Sequence, residues 1–187
     1  MAFGLRTFLI YDTTPGGVGA VPRAWPASRI ERGSDRATLV MLAHPRCPCT
    51  RASVGELAQI MARVQGKVVA YVLFVKPSKS SPDWEDTDLQ RSAAAIPGVT
   101  VLSDVDGVEA RRFGAETSGH TLLFDADGSL LFSGGITGSR GHAGDNAGKS
   151  AIVSLVNNQA AARTDTFVFG CALAEREQLR HGTDYPR

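Results

Sequence analysis

The 187-residue chain has three cysteines, and two of them, Cys47 and Cys49, stand one residue apart in the stretch AHPRCPCTRAS. Pro48 lies between them. Two thiols this close can exchange electrons with a disulfide or chelate a soft metal ion, and both chemistries need the thiolate. A helical pattern begins immediately after the pair. A helix N-terminus presents unpaired N–H groups and partial positive charge, which favour a thiolate. His44 and Arg46 add positive charge beside it. Cys47 is expected as the N-cap and Pro48 as the first helical residue, where its missing N–H does no harm.

The one-residue spacing leaves both chemistries open. A Cys-x-Cys disulfide closes a small ring and must bend the backbone. Strain makes such a bond easier to reduce, hence a stronger oxidant. Two thiolates at a helix end also bind Cu(I) well when one more ligand is supplied. A third reading is an interaction module in which the thiols do nothing. Cys171, in FVFGCAL, follows an apolar run and reads as a buried structural thiol. If the tail folds back over the helix N-terminus, Cys171 becomes a resolving thiol or a third ligand.

The elements that would position these residues follow from periodicity. Thr38–Ala43 is an apolar run of strand length. RASVGELAQIMARV places Val54, Leu57, Ala58, Met61 and Val64 on one helical face, and Gly66 ends it. Lys67–Val75 is a second strand, apolar enough for burial on both faces. A helix is expected from Ser81 and Pro82 onward, with Leu89, Ala93 and Ile96 inward. Val99–Leu102 is a short third strand, followed by a short helix capped by Ser103 or Asp104 and closed by Gly114. TLLFDADGSLLFSG is a hairpin, and GKSAIVSLVNNQAA a last helix capped by Asp145 or Asn146. The order β-α-β-α-β-α-β-β-α implies parallel crossovers and then an antiparallel hairpin. This is an α/β, thioredoxin-like arrangement with one inserted βα unit: a central mixed sheet, flanking helices and a C-terminal hairpin plus helix.

The domain is expected over residues 37–163, with an N-terminal extension or linker over 1–36 and a tail over 164–187. MAFGLRTFLIY is too short and too interrupted to span a membrane, and reads as a terminus or an anchor remnant. Hydrophobic residues make up 43% of the chain, enough for a core, and the net charge of +1 gives no reason to expect nucleic acid. Ala143–Ser150 fits a phosphate-binding loop loosely, but too little chain follows it for a nucleotide-binding sheet.

HPRCPCTRAS, WEDTDL, TSGHTLLFDADG, LFSGGITGSRGHAGDNAG and VFGCAL together resemble the RedB-type proteins of the thioredoxin-like superfamily. The resemblance runs from about the linker to Cys171. It implies a thioredoxin-like fold, a redox role and an extracytoplasmic or membrane-associated place, since members usually begin with an apolar anchor. More distantly the chain is similar to TlpA- and ResA-type thiol–disulfide oxidoreductases, which carry Trp-Cys-x-x-Cys at the corresponding strand exit. Matching TSGHTLLFDADG to the segment where thioredoxins place a cis-proline puts Gly119 there, with His120 next and over the cysteines. The Cys-Cys-His set so formed resembles the copper site of Sco-type chaperones.

The expectation is therefore a thiol–disulfide oxidoreductase acting on protein thiols and disulfides, without nucleotide or cofactor. Cys47 attacks, Cys49 resolves, His44 and Arg46 support the thiolate, Pro48 shapes the turn and His120 manages protons. The alternative is a Cu(I)-binding protein with Cys47, Cys49 and His120 as ligands.

Overall fold

A computed structural model describes residues 11–174; the expected anchor remnant, apart from Tyr11, and the last part of the tail lie outside these residues. Five strands form one sheet in the order β3-β2-β1-β4-β5. They are β1 (Ala37–Ala43), β2 (Val68–Lys76), β3 (Val99–Val105), β4 (His120–Phe124) and β5 (Leu130–Gly134). β1 pairs parallel with β2 and β2 with β3, whereas β4 runs antiparallel to both β1 and β5. Four helices connect and follow them: α1 (Thr50–Arg63), α2 (Asp88–Ala94), α3 (Val108–Arg112) and α4 (Ala147–Val156). This is the thioredoxin-like architecture read from the alternation of periods.

The alternation of side chains along a strand divides the core into two layers. Leu39, Met41 and Ala43 of β1 and Leu123 of β4 pack with Val54, Leu57 and Ile60 of α1, with Leu89 and Ala93 of α2, and with Ile152 of α4. Val40 and Leu42 of β1 and Leu122 and Phe124 of β4 face the other way, onto Ala110 and Phe113 of the α3 region. The Pro- and Gly-rich segment over 14–36 crosses this second layer. Ile30 is buried there, and Trp25 stands edge-on to Phe113 and Phe124, with ring centroids 5.2 Å away in each case. Trp25 N–H donates to Gly128 O, and Leu130 N–H to Arg23 O. The segment expected as a linker is thus fastened to the hairpin over part of its length.

Three local details depart from the sequence expectation. Helix α1 begins at Thr50 with Cys49 at the N-cap, two residues later than expected, because the chain from His44 to Cys49 is taken up in turns (Cys47 N–H to His44 O, 3.2 Å; Thr50 N–H to Cys47 O, 3.1 Å). The helix expected from Ser81 is broken. A single 3₁₀ turn at Pro82–Trp84 is followed by α2, whose N-cap Thr87 accepts from Gln90 N–H at 3.2 Å. Glu85 forms an ion pair with Lys76 at 3.0 Å, and Trp84 Nε1–H donates to Val75 O, so the break is pinned to the end of β2. Strand β3 runs on to Val105, and the N-cap of α3 is Gly107. Asp104 still serves that helix from the strand end, its carboxylate accepting from Glu109 N–H and Ala110 N–H at 2.9 and 2.8 Å.

Candidate active site

The end of β1, the turn at 44–49, the start of α1, the loop before β4 and the segment 170–173 meet at one place. Cys47 is 2% exposed and Cys49 8%. The nearest partner of Cys47 comes from far along the chain. Cys171 Sγ lies 3.0 Å from Cys47 Sγ, and Cys171 N–H donates to the same sulfur at 3.4 Å.

Cys171 is placed by backbone pairing. Ser118 N–H donates to Cys171 O and Leu173 N–H to Glu116 O, both at 2.8 Å, an antiparallel bridge that lays 171–173 along 116–118. Upstream, Ser133 N–H donates to Thr164 O at 3.0 Å, and Gly16 N–H to Val168 O at 2.8 Å. Gly170 sits so close to this edge that a Cβ on it would fall 2.0 Å from Ser118 O. Arg140, from the Gly-rich loop after β5, donates through Nη1 to Gly170 O at 2.5 Å. Its Cζ lies 4.8 Å from the Tyr11 ring centroid.

The electrostatics follow from these contacts. Burial works against the Cys47 thiolate, but hydrogen bonds from the Cys171 thiol, the Thr50 hydroxyl and the backbone N–H groups of Cys171 and Thr50 outweigh it, and its pKa is lowered. A donor chain runs behind it. His44 N–H donates to Ser118 Oγ at 2.7 Å, and Ser118 Oγ lies 2.6 Å from Thr50 Oγ1. With its oxygen so engaged, Ser118 can give its proton to Thr50 Oγ1, leaving the Thr50 proton for Cys47. Burial pushes the Cys171 thiol up to about 12, reinforced by its hydrogen bond to Cys47 and by the charges of Cys47 and Cys49, against Arg140. Burial, then the Cys47 charge, raises Cys49, and Arg140 opposes both. Of the three thiols Cys47 is thus the one whose surroundings favour the thiolate, whereas those of Cys49 and Cys171 favour the protonated form.

Other residues singled out in the sequence fall as follows. Arg46 turns outward, its Cζ 4.2 Å from the centroid of the Trp84 ring. His44 also stands against Trp84, its ring centroid 6.0 Å away, and its Nδ1 accepts from Arg46 N–H. The His44 contribution to Cys47 runs through its backbone N–H. Pro48 is exposed between the cysteines. Gly119 takes φ +90°, which a proline ring forbids, and a Cβ there would meet Ser53 Oγ of α1 at 2.8 Å. His120 is not brought to the thiols. It pairs with Leu42 in register, so its side chain shares the face of Leu42, Leu122 and Phe124, away from α1. There it is fully buried, Nε2 lies 2.8 Å from Ser133 Oγ, and Nδ1 has no hydrogen-bond partner. Burial lowers its pKa to about 4.

Cys47, Cys49 and His120 consequently do not converge as a Cu(I) set. Among the described residues no three His, Cys, Asp or Glu side chains are grouped to hold a metal ion. Arg140, Ser118 and Thr50 were not singled out in the sequence. Arg140 was legible only as the arginine inside GGITGSRGHAGDNAG, and Ser118 and Thr50 only as hydroxyls adjoining Gly119 and Cys49. Among the described residues, no helix is long and apolar enough to cross a membrane.

No protein-family model matches the chain, and no curated protein is significantly similar to it. Solved structures are similar in fold. A hypothetical protein from Sinorhizobium meliloti 1021 is 17% identical with a TM-score of 0.64, over 83% of this chain and 96% of that one. An uncharacterized conserved protein from Geobacillus kaustophilus is 16% identical with a TM-score of 0.63, over 87% and 93%. A candidate thiol:disulfide interchange protein DsbE from Chlorobium tepidum is 16% identical with a TM-score of 0.52, over 74% and 98%. What the chain shares with them is the thioredoxin-like fold.

Proposed function

We propose that the protein carries out thiol–disulfide exchange with protein thiols and disulfides, with Cys47 as the attacking sulfur. The observation that carries this reading is the convergence of donors from two separate segments on the buried Cys47 sulfur, the Cys171 thiol at 3.0 Å and N–H at 3.4 Å together with Thr50, which lower its pKa. A thiolate held in this way is the reactive form. The fold likeness to a candidate disulfide interchange protein points the same way.

In the reductive direction the Cys47 thiolate attacks one sulfur of a client disulfide. A Cys47–client disulfide forms and the client's other sulfur leaves as a thiolate. A second thiol of the protein then attacks Cys47 Sγ and releases the first client sulfur. Two electrons pass to the client, and the protein is left with one disulfide. Run backward, the same steps oxidise a client dithiol. Two thiols, Cys49 and Cys171, stand near Cys47, and one of them supplies the second sulfur. Such a cycle suits an extracytoplasmic compartment, where protein disulfides persist.

The test is incubation of the full chain with glutathione disulfide, followed by acid quench and mass spectrometry. Wild type is expected to lose free thiols in pairs. Cys47→Ser is expected to reduce the rate of exchange to that of an ordinary buried thiol. Exchange by Cys47→Ser at the wild-type rate would remove this reading.

A further inference from the structure

We propose that Cys171, not Cys49, closes the disulfide with Cys47, and that the segment 170–173 is a strap over the nucleophile, displaced by a client and fastened covalently in the oxidised protein. The inference rests on the exchange reading and names its second thiol.

The contact is direct, Sγ to Sγ at 3.0 Å, with the Cys171 backbone N–H on the same sulfur. The strap is seated independently of the thiols: two backbone bonds to 116–118, the close approach of Gly170 to Ser118 O, and Arg140 on Gly170 O. By contrast Cys49 follows Cys47 within a turn closed by Thr50 N–H on Cys47 O and Arg51 N–H on Pro48 O. The Cys49 thiol also interacts with Cys47, but a Cys47–Cys49 bond would have to close its small ring inside this hydrogen-bonded turn and so needs the turn unwound. The strap also explains why a nucleophile is only 2% exposed. A client sulfur reaches Cys47 only when Cys171 has moved aside.

The chemistry balances. A client disulfide R–S–S–R′ is attacked by the Cys47 thiolate, giving Cys47–S–S–R and R′–S⁻. The negative charge on Cys47 is then gone, and with it the hydrogen bond and the repulsion that help hold the proton on Cys171. Arg140 remains to favour the Cys171 thiolate. Its proton passes to R′–S⁻. The Cys171 thiolate attacks Cys47 Sγ, the Cys47–client bond breaks, and R–S⁻ takes a proton from water. The client has gained two electrons, and Cys47 and Cys171 have lost them.

Peptide mapping decides between the two pairings. Trypsin places Cys47 and Cys49 together in the peptide 47–51 and Cys171 in the peptide 164–176. The full chain is oxidised with glutathione disulfide, its remaining thiols are alkylated, and the peptides are weighed. The expected product is 47–51 linked to 164–176 in wild type and in Cys49→Ser, and no such link in Cys47→Ser. A disulfide confined to 47–51, with 164–176 alkylated, overturns the proposal, as does a link that survives Cys47→Ser. The glutathione adduct on Cys47 supplies a second readout. In Cys171→Ser it is expected to outlive the wild-type adduct at least tenfold. If it forms on Cys47 but decays equally fast in both, the strap is wrong and the exchange reading stands. If no adduct forms on Cys47 in any variant, both fall.

Discussion

At the scale of single residues, Cys47 and His120 are both buried polar groups, and their surroundings drive them in opposite directions. Cys47 receives several donors and its pKa is lowered; His120 receives one hydroxyl contact and burial lowers its pKa to about 4, which keeps it neutral. The histidine gives a pH prediction with a definite sign. Its pKa is about 4 in the folded protein against about 6.5 in an unfolded chain. Below pH 6.5 the unfolded chain takes up a proton that the folded one refuses. Stability is lost as pH falls from about 6.5 to about 4, by about 3 kcal/mol in total, with no further loss from this group below that. Denaturant titrations of wild type and His120→Leu between pH 7 and 4 should show a shallower acid limb in the variant; parallel limbs would contradict the assignment. The cysteine pair was legible in the sequence because cysteines are few and these adjoin a helical pattern. The direction of His120 was not, because matching a segment fixes a strand position, whereas the strand register decides which face the side chain takes.

At the scale of elements, α1 and α4 are joined by a buried ion pair. Lys149 Nζ lies 2.7 Å from Glu56 Oε2, and the two side chains are 2% and 0% exposed. Lys149 Nζ also donates to Gln59 Oε1 and Gly144 O, and Glu56 Oε1 accepts from Gly144 N–H. The same cluster therefore anchors the Gly-rich loop that carries Arg140. Removing one member of such a pair strands a charge in the core. Lys149→Met should destabilise the protein by about 3–5 kcal/mol in denaturant unfolding, and the double variant with Glu56→Leu should regain most of it. A double variant no better than the single one would show that the pair is replaceable only as a hydrogen-bonded network. Periodicity made the helices themselves legible, and of the two caps open for α4, Asp145 and Asn146, it is Asn146 whose Oδ1 accepts from Lys149 N–H at 2.8 Å. It did not reveal the break before α2. The acidic run 83–88 suits a helix start at either end, and only the anchoring of Trp84 and Glu85 to β2 selects the later one.

At the scale of the whole molecule, the alternation of strands and helices was enough to read a mixed sheet, with parallel crossovers followed by an antiparallel hairpin. The irregular segments were the harder part. The segment over 14–36 and the strap at 164–173 carry no periodic pattern, yet both are tied to the sheet by backbone hydrogen bonds. Cys171 reads from the sequence as a structural thiol unless the tail folds back over the helix N-terminus; the tail does fold back, and Cys171 Sγ lies 3.0 Å from Cys47 Sγ. A Cys47–Cys171 bond would close a loop of 124 residues in sequence separation. Cross-links of that span stabilise by about 4–5 kcal/mol through the unfolded chain, far more than a bond between near neighbours. The oxidised protein is expected to unfold at correspondingly higher denaturant than the reduced one, with the difference abolished in Cys171→Ser and kept in Cys49→Ser. Equal midpoints for the two redox forms of wild type would rule out the long-range bond.

The seating of Gly170 also has a kinetic meaning. A side chain on it would collide with Ser118 O and its carbonyl is held by Arg140, so the next residue along is placed beside Cys47 from a fixed support. In the proposed second step Cys171 would act at an effective molarity, which for well-oriented intramolecular partners rises to about 10⁵ M and above. Free thiols at roughly millimolar levels, even those tethered by short flexible linkers, cannot compete with that. On the proposed cycle, the lifetime of a client bound to Cys47 would be set by how long the client itself keeps Gly170 off its seat, and not by the thiol concentration of the surroundings.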